Sequence, residues 1–196
     1  MNAAMTLVST VRDAIFERRS VRDYTGTKPE TLVIQQLLAA AVRAPTAVHT
    51  EPWRFLIIQD AATLTRISDR AKALFAEQAR QLHLHEDSKG LSAFARPEFN
   101  VFYNAGTLVV ICAGKANPFA VADCWLAAEN LMLAAHSIGL GCCVIGSAVA
   151  ALNAPDLKAE LGIPEDQMAV APIIVGIPAG DTAPTPRKAP QVLAWR

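Results

Sequence analysis

Apolar residues dominate one long stretch of the chain, Phe119–Ile138. Fifteen of its twenty residues are apolar, and neither glycine nor proline interrupts it. The apolar positions cover most of a helical wheel, and a helix of that kind is buried on nearly all sides. Asp123, Glu129 and His136 make a membrane span costly, so we predict the central helix of a water-soluble protein. Gly139 supplies the left-handed residue that commonly ends a helix.

Helical spacing of apolar residues recurs in four other segments. The first covers residues 7–17 and contains Ser9 and Thr10, either of which can act as an N-cap. The second begins at Pro29 and Glu30, ends at Pro45, and has an apolar face made of Leu32, Ile34, Leu37, Leu38 and Ala41. The predicted helices are residues 7–17, 30–44, 60–81 and 155–161.

Runs of β-branched and aromatic residues predict strands at Trp53–Ile58, Thr107–Ala113 and Met168–Gly176, and a shorter one within Gly141–Gly146. The unbroken apolar run at Thr107–Ala113 indicates a strand covered on both faces. Residues 88–104 are irregular and rich in aromatic side chains, which suggests a flap beside a pocket. The last twenty residues contain four prolines and predict an extended tail.

Composition limits the function. The 196 residues predict a single domain spanning 1–196, and the hydrophobic share of 52% fits an enzyme or an oligomer with large interfaces. Eighteen basic and eighteen acidic residues cancel, so no net field favours nucleic acid or an anionic membrane. The four cysteines lie in apolar segments without metal-ligand spacing, and the N-terminus lacks a signal-peptide pattern. We therefore expect a cytoplasmic protein with no disulfides.

Two polar clusters are candidates for chemistry. Arg18, Arg19, Ser20 and Arg22 form a compact group whose guanidinium forks suit phosphate oxygens. The alternative is a solvated charge run, which is what such runs usually are. Residues 83–87 include two histidines and two acids, but their spacing favours a solvated segment over a metal site, and we predict no metal.

Glycines 139, 141 and 146 superficially resemble a dinucleotide-binding fingerprint. That motif leaves a strand and opens a helix, whereas these glycines follow a helix and enter a strand. We therefore reject a Rossmann fold. The residues alone support an α+β domain, oligomeric because one chain of this size cannot surround the central helix.

An ordered set of short motifs spans nearly the whole chain, from Ile15 to Lys188. The set resembles the FMN-dependent nitroreductase family. It consists of Arg18–Arg22, Ala44–Ala47, Pro52–Phe55, Gly139–Gly146, Leu161–Pro164, Gly176–Pro178 and Pro186–Arg187. The resemblance implies a mostly antiparallel sheet flanked by helices, and an intertwined homodimer built around the long helix with two FMN sites at its interface.

The resemblance also implies roles for individual residues. Arg18, Arg19, Ser20 and Arg187 would hold the FMN phosphate, and Arg22 would approach the N1/O2 edge of the flavin ring. A second group would reach the flavin from the other subunit: Pro45, Thr46, Ala47 and His49. Val144, Ile145 and Gly146 would pass close to the ring with a backbone N–H near N5, and Trp53 would be a core residue. No residue of the chain is assigned as a catalytic acid or base.

The implied activity is that of an FMN-dependent NAD(P)H oxidoreductase. Hydride transfer through flavin N5 in a ping-pong cycle would reduce electron-poor small molecules such as nitroaromatics and quinones. Two alternatives stay open: a flavoenzyme of the same fold that catalyses desaturation or flavin breakdown, and a non-catalytic flavin-binding protein. His49 and Glu51 depart from the family, which usually has Asn and Gln there.

Overall fold

The computed structural model describes residues 10–81, 94, 96–114 and 118–196, without the side chains of residues 78–80. Six α-helices with described bounds, two short 3-10 helices (Ala47–His49 and Gly146–Ala148) and four strands lie in this part of the chain. The helices are α1 (Val11–Glu17), α2 (Thr31–Ala41), α3 (Ala61–Gln81), α4 (Ala120–Ser137), α5 (Val149–Leu152) and α6 (Pro155–Leu161). The strands are β1 (Trp53–Ile58), β2 (Thr107–Gly114), β3 (Gly141–Val144) and β4 (Gln167–Gly176).

The four strands form one sheet in the order β1-β2-β4-β3, and every neighbouring pair is antiparallel. Seven of the eight residues of β2 are buried, because helices cover both faces of the sheet. The predicted α+β fold with an antiparallel sheet is confirmed, and the antiparallel pairing agrees with the rejection of a Rossmann fold.

Alternate residues of β2 point into two separate cores. Val109, Ile111 and Ala113 pack with α4 and α2 on one face. Leu108 and Val110 pack with α3, α5 and α6 on the other. The sheet is therefore the middle layer of three, and α4 is the helix that lies against it on the first face.

Helix α4 begins and ends where the sequence predicts. Gly139 has φ +81° and closes the helix: its N–H donates to His136 O at 3.0 Å, and the N–H of Leu140 donates to Ala135 O at 2.9 Å. This pair of hydrogen bonds is a Schellman motif.

In the single chain, the sheet, α2 and α1 cover part of α4 and leave another part exposed. Trp125 is 41% exposed and Leu126 46%, whereas Met132 is 7% exposed and belongs to the core of its own chain. One wide strip of an apolar helix is therefore left for something else to cover.

Two sequence predictions about α2 need correction. Leu32 is 63% exposed and does not belong to the apolar face of α2. That helix ends at Ala41 instead of residue 44, because its last turn tightens: the N–H of Ala44 donates to Ala41 O at 3.1 Å. Pro45 then disfavours helical backbone at the residue before it.

The aromatic segment before β2 is not a flap in its described part. Phe102 is 1% exposed within the α3-side core, and the rings of Phe94, Phe99 and Tyr103 contact one another in series. Residues 88–93 and 95 lie outside the described residues, as do residues 83–87 and the start of the first predicted helix.

Thr10 caps α1, where its hydroxyl and Asp13 form a capping box.

Candidate functional site

The segment carrying Arg18–Arg22 runs beside β3 and covers the free edge of that strand. The N–H of Val21 donates to Cys142 O at 3.0 Å, and Ser20 forms a parallel bridge with Cys142. Gly141 makes this close approach possible, since a Cβ there would lie 2.8 Å from the Val21 side chain. The backbone of β3 therefore fixes where the arginines project.

We expect Gly141→Ala to move this segment. The added methyl meets the Cβ of Val21, which cannot rotate away, so overpacking should cost about 1–3 kcal/mol of unfolding free energy. Gly180→Ala is the matched control, because no atom lies within 4 Å of its would-be Cβ. Thermal unfolding of both variants checks the prediction, and equal midpoints for Gly141→Ala and the parent would contradict it.

Three of the predicted anion-binding arginines line one cavity. Arg18, Arg19 and Arg187 surround a space of about 290 Å³ together with Thr185 and the ends of Ile15 and Phe16. Arg187 comes from the extended tail, so two distant parts of the sequence supply positive charge to the same place. A phosphate suits this donor set, because guanidinium groups bind its oxygens with paired, charge-assisted hydrogen bonds.

Arg18, which lines this cavity, has a side-chain donor without a hydrogen-bond partner in the described part of the chain. Its side chain is only 19% exposed, and its Nε lies 3.6 Å from Glu129 Oε1, too far for a hydrogen bond. Among the described residues this buried Nε has no hydrogen-bond partner. A buried donor without an acceptor is costly, and a rotation of the Arg18 side chain toward the cavity would let a bound phosphate oxygen accept this hydrogen bond.

Arg19 and Arg22 already donate hydrogen bonds to nearby backbone carbonyl groups. Arg19 Nη1 donates to Phe16 O at 2.7 Å and to Arg18 O at 2.9 Å. These two hydrogen bonds hold the end of α1. Arg22 Nη1 donates to Ser20 O at 3.4 Å. Arg22 lies outside the cavity lining and is exposed, so its predicted contact with a flavin ring stays a prediction.

Cys143 lies on β3, next to Cys142, the residue that pairs with Ser20. Burial raises the pKa of its thiol, and Arg22, the Ser20 side chain and Arg18 oppose that rise. The next residues along the chain are Val144–Gly146.

All four cysteines are free and buried. Burial raises the pKa of Cys112 to about 11 and that of Cys124 to about 12, from an ordinary value of 9.0. A thiolate is the reactive form, so native protein should resist alkylation near neutral pH.

The same shifts predict a loss of stability in alkaline solution. Unfolded thiols ionise above about pH 9, while the folded ones stay protonated to higher pH, so the free energy of unfolding should fall as pH rises from 9 through 11. Thermal unfolding from pH 8 to 11 measures this slope, and Cys124→Ala should reduce it. A midpoint that is constant over that range in the parent protein would contradict the account.

Val144, Ile145 and Gly146 differ in what they can offer to a ligand. Ile145 is 5% exposed, with its side chain in the core and its N–H donated to Pro172 O at 2.9 Å. Its N–H is therefore not available to a flavin. Gly146 is exposed, and no atom lies within 4 Å of where its Cβ would be, so open space adjoins its backbone.

The loop with the remaining predicted residues lies elsewhere on α4. The N–H of Ala47 donates to Asp123 Oδ1 at 3.2 Å, and Pro45, Thr46 and His49 flank this contact. Trp53, which follows the loop, is a core residue as predicted, at 6% exposed.

The single chain holds the two groups of predicted residues apart. Asp123 and Glu129 both lie on α4. Asp123 anchors the loop at 45–49, and Glu129 forms an ion pair with Arg18. Six residues separate the two anchors, which places them about 9 Å apart along the helix axis and about 120° apart around it. The two groups therefore attach to different faces of α4.

Sequence reasoning did not identify Glu129, Thr185 or Asp123 as parts of these sites. A signal existed for two of them, because an acidic side chain inside an otherwise apolar helix calls for a partner. Thr185 gave no signal, since its place depends on the path of the tail.

The described ranges lack two other kinds of feature. They contain no helix of the length and apolarity needed to cross a membrane. They also contain no cluster of three or more His, Cys, Asp or Glu side chains arranged to hold a metal ion.

Comparison with known proteins gives a consistent result. A family model described as "Nitroreductase family" matches residues 15–177. The chain is 28% identical to a protein of Archaeoglobus fulgidus, provisionally named an NADH dehydrogenase/NAD(P)H nitroreductase, over 84% of this chain and 83% of that protein. It is 29% identical to the 5,6-dimethylbenzimidazole synthase of Rhodospirillum rubrum, over 85% and 81% of the two chains.

Among solved structures, a nitroreductase with bound FMN from Bacteroides fragilis superposes with a TM-score of 0.80. The identity is 25%, and the match covers 96% of this chain and all of the other. Motif order, antiparallel topology, family model and structural similarity all agree, and the chain belongs to the nitroreductase family.

Proposed function

We propose that the protein is a homodimeric FMN-dependent NAD(P)H oxidoreductase that reduces electron-poor small molecules such as nitroaromatics and quinones. The observation that carries the proposal is the cavity between Arg18, Arg19 and Arg187, with the buried Arg18 Nε still lacking an acceptor. The relative from Bacteroides fragilis was solved with FMN, whose phosphate suits such a cavity.

FMN, when bound, supplies two-electron transfer between NAD(P)H and the acceptor through its N5 position. Arg18, Arg19 and Arg187 would bind the phosphate, with the Ser20 hydroxyl beside them. Arg22 would place positive charge at the N1/O2 edge, which favours the reduced ring. Gly146 would offer its N–H and the open space beside its backbone, and Val144 and Ile145, which come directly before it, would pass close to the ring.

The proposed dimer is supported by surfaces that one chain leaves uncovered. Leu126 is 46% exposed on α4, and Leu193 and Trp195 in the extended tail are almost fully exposed. Strand β1 lies at an open edge of the sheet. A second copy would cover these apolar groups and bring its own loop, with Pro45, Thr46, Ala47 and His49, to the flavin.

A second reaction is a candidate because a relative of similar identity bears the name 5,6-dimethylbenzimidazole synthase. A flavoenzyme of that kind would use the same phosphate site for another flavin reaction. A non-catalytic flavin-binding protein would keep the site but have no turnover.

One assay separates these three candidate functions. NADH and NADPH oxidation by the purified protein is measured with and without a quinone and a nitroaromatic acceptor. The proposal expects bound flavin to be reduced by nicotinamide and reoxidised faster when acceptor is added. Flavin that neither nicotinamide reduces would refute it and leave the two alternatives, and consumption of the flavin itself would favour the second reaction.

A further inference from the structure

Asp123 is the least satisfied carboxyl group of α4. It is 3% exposed, its Oδ1 accepts the hydrogen bond from Ala47 N–H, and its Oδ2 is buried without a hydrogen-bond partner among the described residues. Burying a carboxyl group with an unused oxygen costs folding free energy, and the first turn of a helix offsets only part of that cost. A buried, half-paired carboxyl group in an apolar helix therefore points to a specific role for Asp123.

The loop that Asp123 holds is strained. Val48, His49 and Glu51 have φ values of +45°, +56° and +44°. L residues seldom adopt this left-handed region, and each residue held there costs conformational free energy. Valine is the least suited of the three, because its branched Cβ crowds the backbone.

Two backbone hydrogen bonds inside the loop are local and long. His49 N–H donates to Thr46 O at 3.5 Å, and Thr50 N–H donates to Ala47 O at 3.3 Å. His49 and Glu51 form an ion pair at 3.7 Å, but the His49 side chain is 90% exposed, so solvent screens it. The hydrogen bond from Ala47 instead reaches 76 positions along the sequence to a rigid helix.

We infer that Asp123 is a positioning residue. It holds Ala47 to α4 and so keeps residues 47–51 in their strained shape, with the loop tip presented to the flavin of the partner subunit. The part of this inference that concerns the flavin rests on the proposed function. Without the anchor, Val48 and His49 would relax to negative φ, and the residues facing the ring would move away from it.

Two variants of Asp123 separate its roles. Asp123→Ala removes the acceptor for Ala47 N–H, whereas Asp123→Asn keeps an acceptor oxygen of the same size and reach. Asn130→Ala is the matched control on the same helix: it removes a hydrogen bond of 3.4 Å from Asn130 Nδ2 to Ala40 O, which ties α4 to α2 but not to the loop.

The first measurement is the rate of flavin reduction by excess NADH, by rapid mixing, per bound flavin. Displacement of a positioned group by about 1 Å can cost up to a hundredfold in rate, so we expect Asp123→Ala to fall at least tenfold. Asp123→Asn and Asn130→Ala should stay within threefold of the parent. The FMN dissociation constant of Asp123→Ala should change less than its rate, because the arginine cavity lies on another face of α4.

The second measurement does not depend on activity. Amide hydrogen exchange of the peptide covering residues 45–51 should be faster in Asp123→Ala than in the parent and the two other variants, with or without flavin.

Each result decides the inference. A tenfold loss in Asp123→Ala alone, with faster exchange at 45–51, supports it. Three results would overturn it: a per-flavin rate equal to the parent, an equal loss in Asp123→Asn, which would point to the carboxyl charge, or an equal loss in Asn130→Ala, which would point to general destabilisation. A parent protein that binds no flavin would instead refute the proposed function, and the exchange result would still test the anchor.

Discussion

Replacing Leu126 by glutamate is expected to lose the dimer and the bound FMN together. The side chain is 46% exposed on the apolar strip of α4, where the proposed second copy would bury it. A carboxylate buried in that interface without a partner would cost several kcal/mol for each copy. Because each flavin would take residues 45–49 from the partner, a monomer would hold FMN far more weakly, although Leu126 need not touch it.

Leu32→Glu is the matched control, because Leu32 is 63% exposed on α2 and the same charge there should be tolerated. Met132 is unsuitable, since it is buried in its own chain and a charge there would damage the fold directly. Sedimentation velocity is measured together with flavin absorbance. A folded Leu126→Glu monomer that keeps full FMN would show that one chain forms the site alone, and the composite site would have to be abandoned.

Arg18→Ala and Arg187→Ala are each expected to weaken FMN binding by about ten- to a hundredfold. A hydrogen bond to a charged group contributes about 1.5–3 kcal/mol, and each 1.4 kcal/mol is a factor of about ten in affinity. Arg18 should have the larger effect, because its side chain is 19% exposed while Arg187 lies in the exposed tail.

Riboflavin provides the control within the same experiment, because it has the ring of FMN but no phosphate. The two variants should lose affinity for FMN and keep most of their affinity for riboflavin. Arg96→Ala removes an exposed arginine that does not line the cavity and should change neither value. Unchanged FMN affinity in both Arg18→Ala and Arg187→Ala would refute the phosphate assignment.

Local sequence signals predicted most of the fold. Trp53–Ile58, α4 and its end at Gly139 follow from side-chain shape, apolar content and backbone freedom, all of which act over a few residues. Leu32 was placed wrongly, because helical spacing shows which positions share a face but not how wide the buried face is. The aromatic segment near Phe102 was misassigned for a similar reason: its irregular backbone gave no hint of which core its rings enter.

The site was less predictable than the fold. The cluster at Arg18–Arg22 could be solvated or anion-binding on sequence alone, and the joining of Arg187 to it depends on the path of a tail without regular structure. Asp123 could be seen as unusual in an apolar helix, but its partner at Ala47 lies 76 positions away. Long-range hydrogen bonds of this kind leave no local pattern, so resemblance to a family was needed to connect the motifs.

The flavin content of the purified protein tests the central claim most directly. Protein isolated without added cofactor is scanned in the visible range, denatured, and its released chromophore is identified and counted against chain concentration. The account predicts a yellow protein that releases FMN at one molecule per chain, two per dimer. Colourless protein that also fails to bind FMN on titration would contradict it.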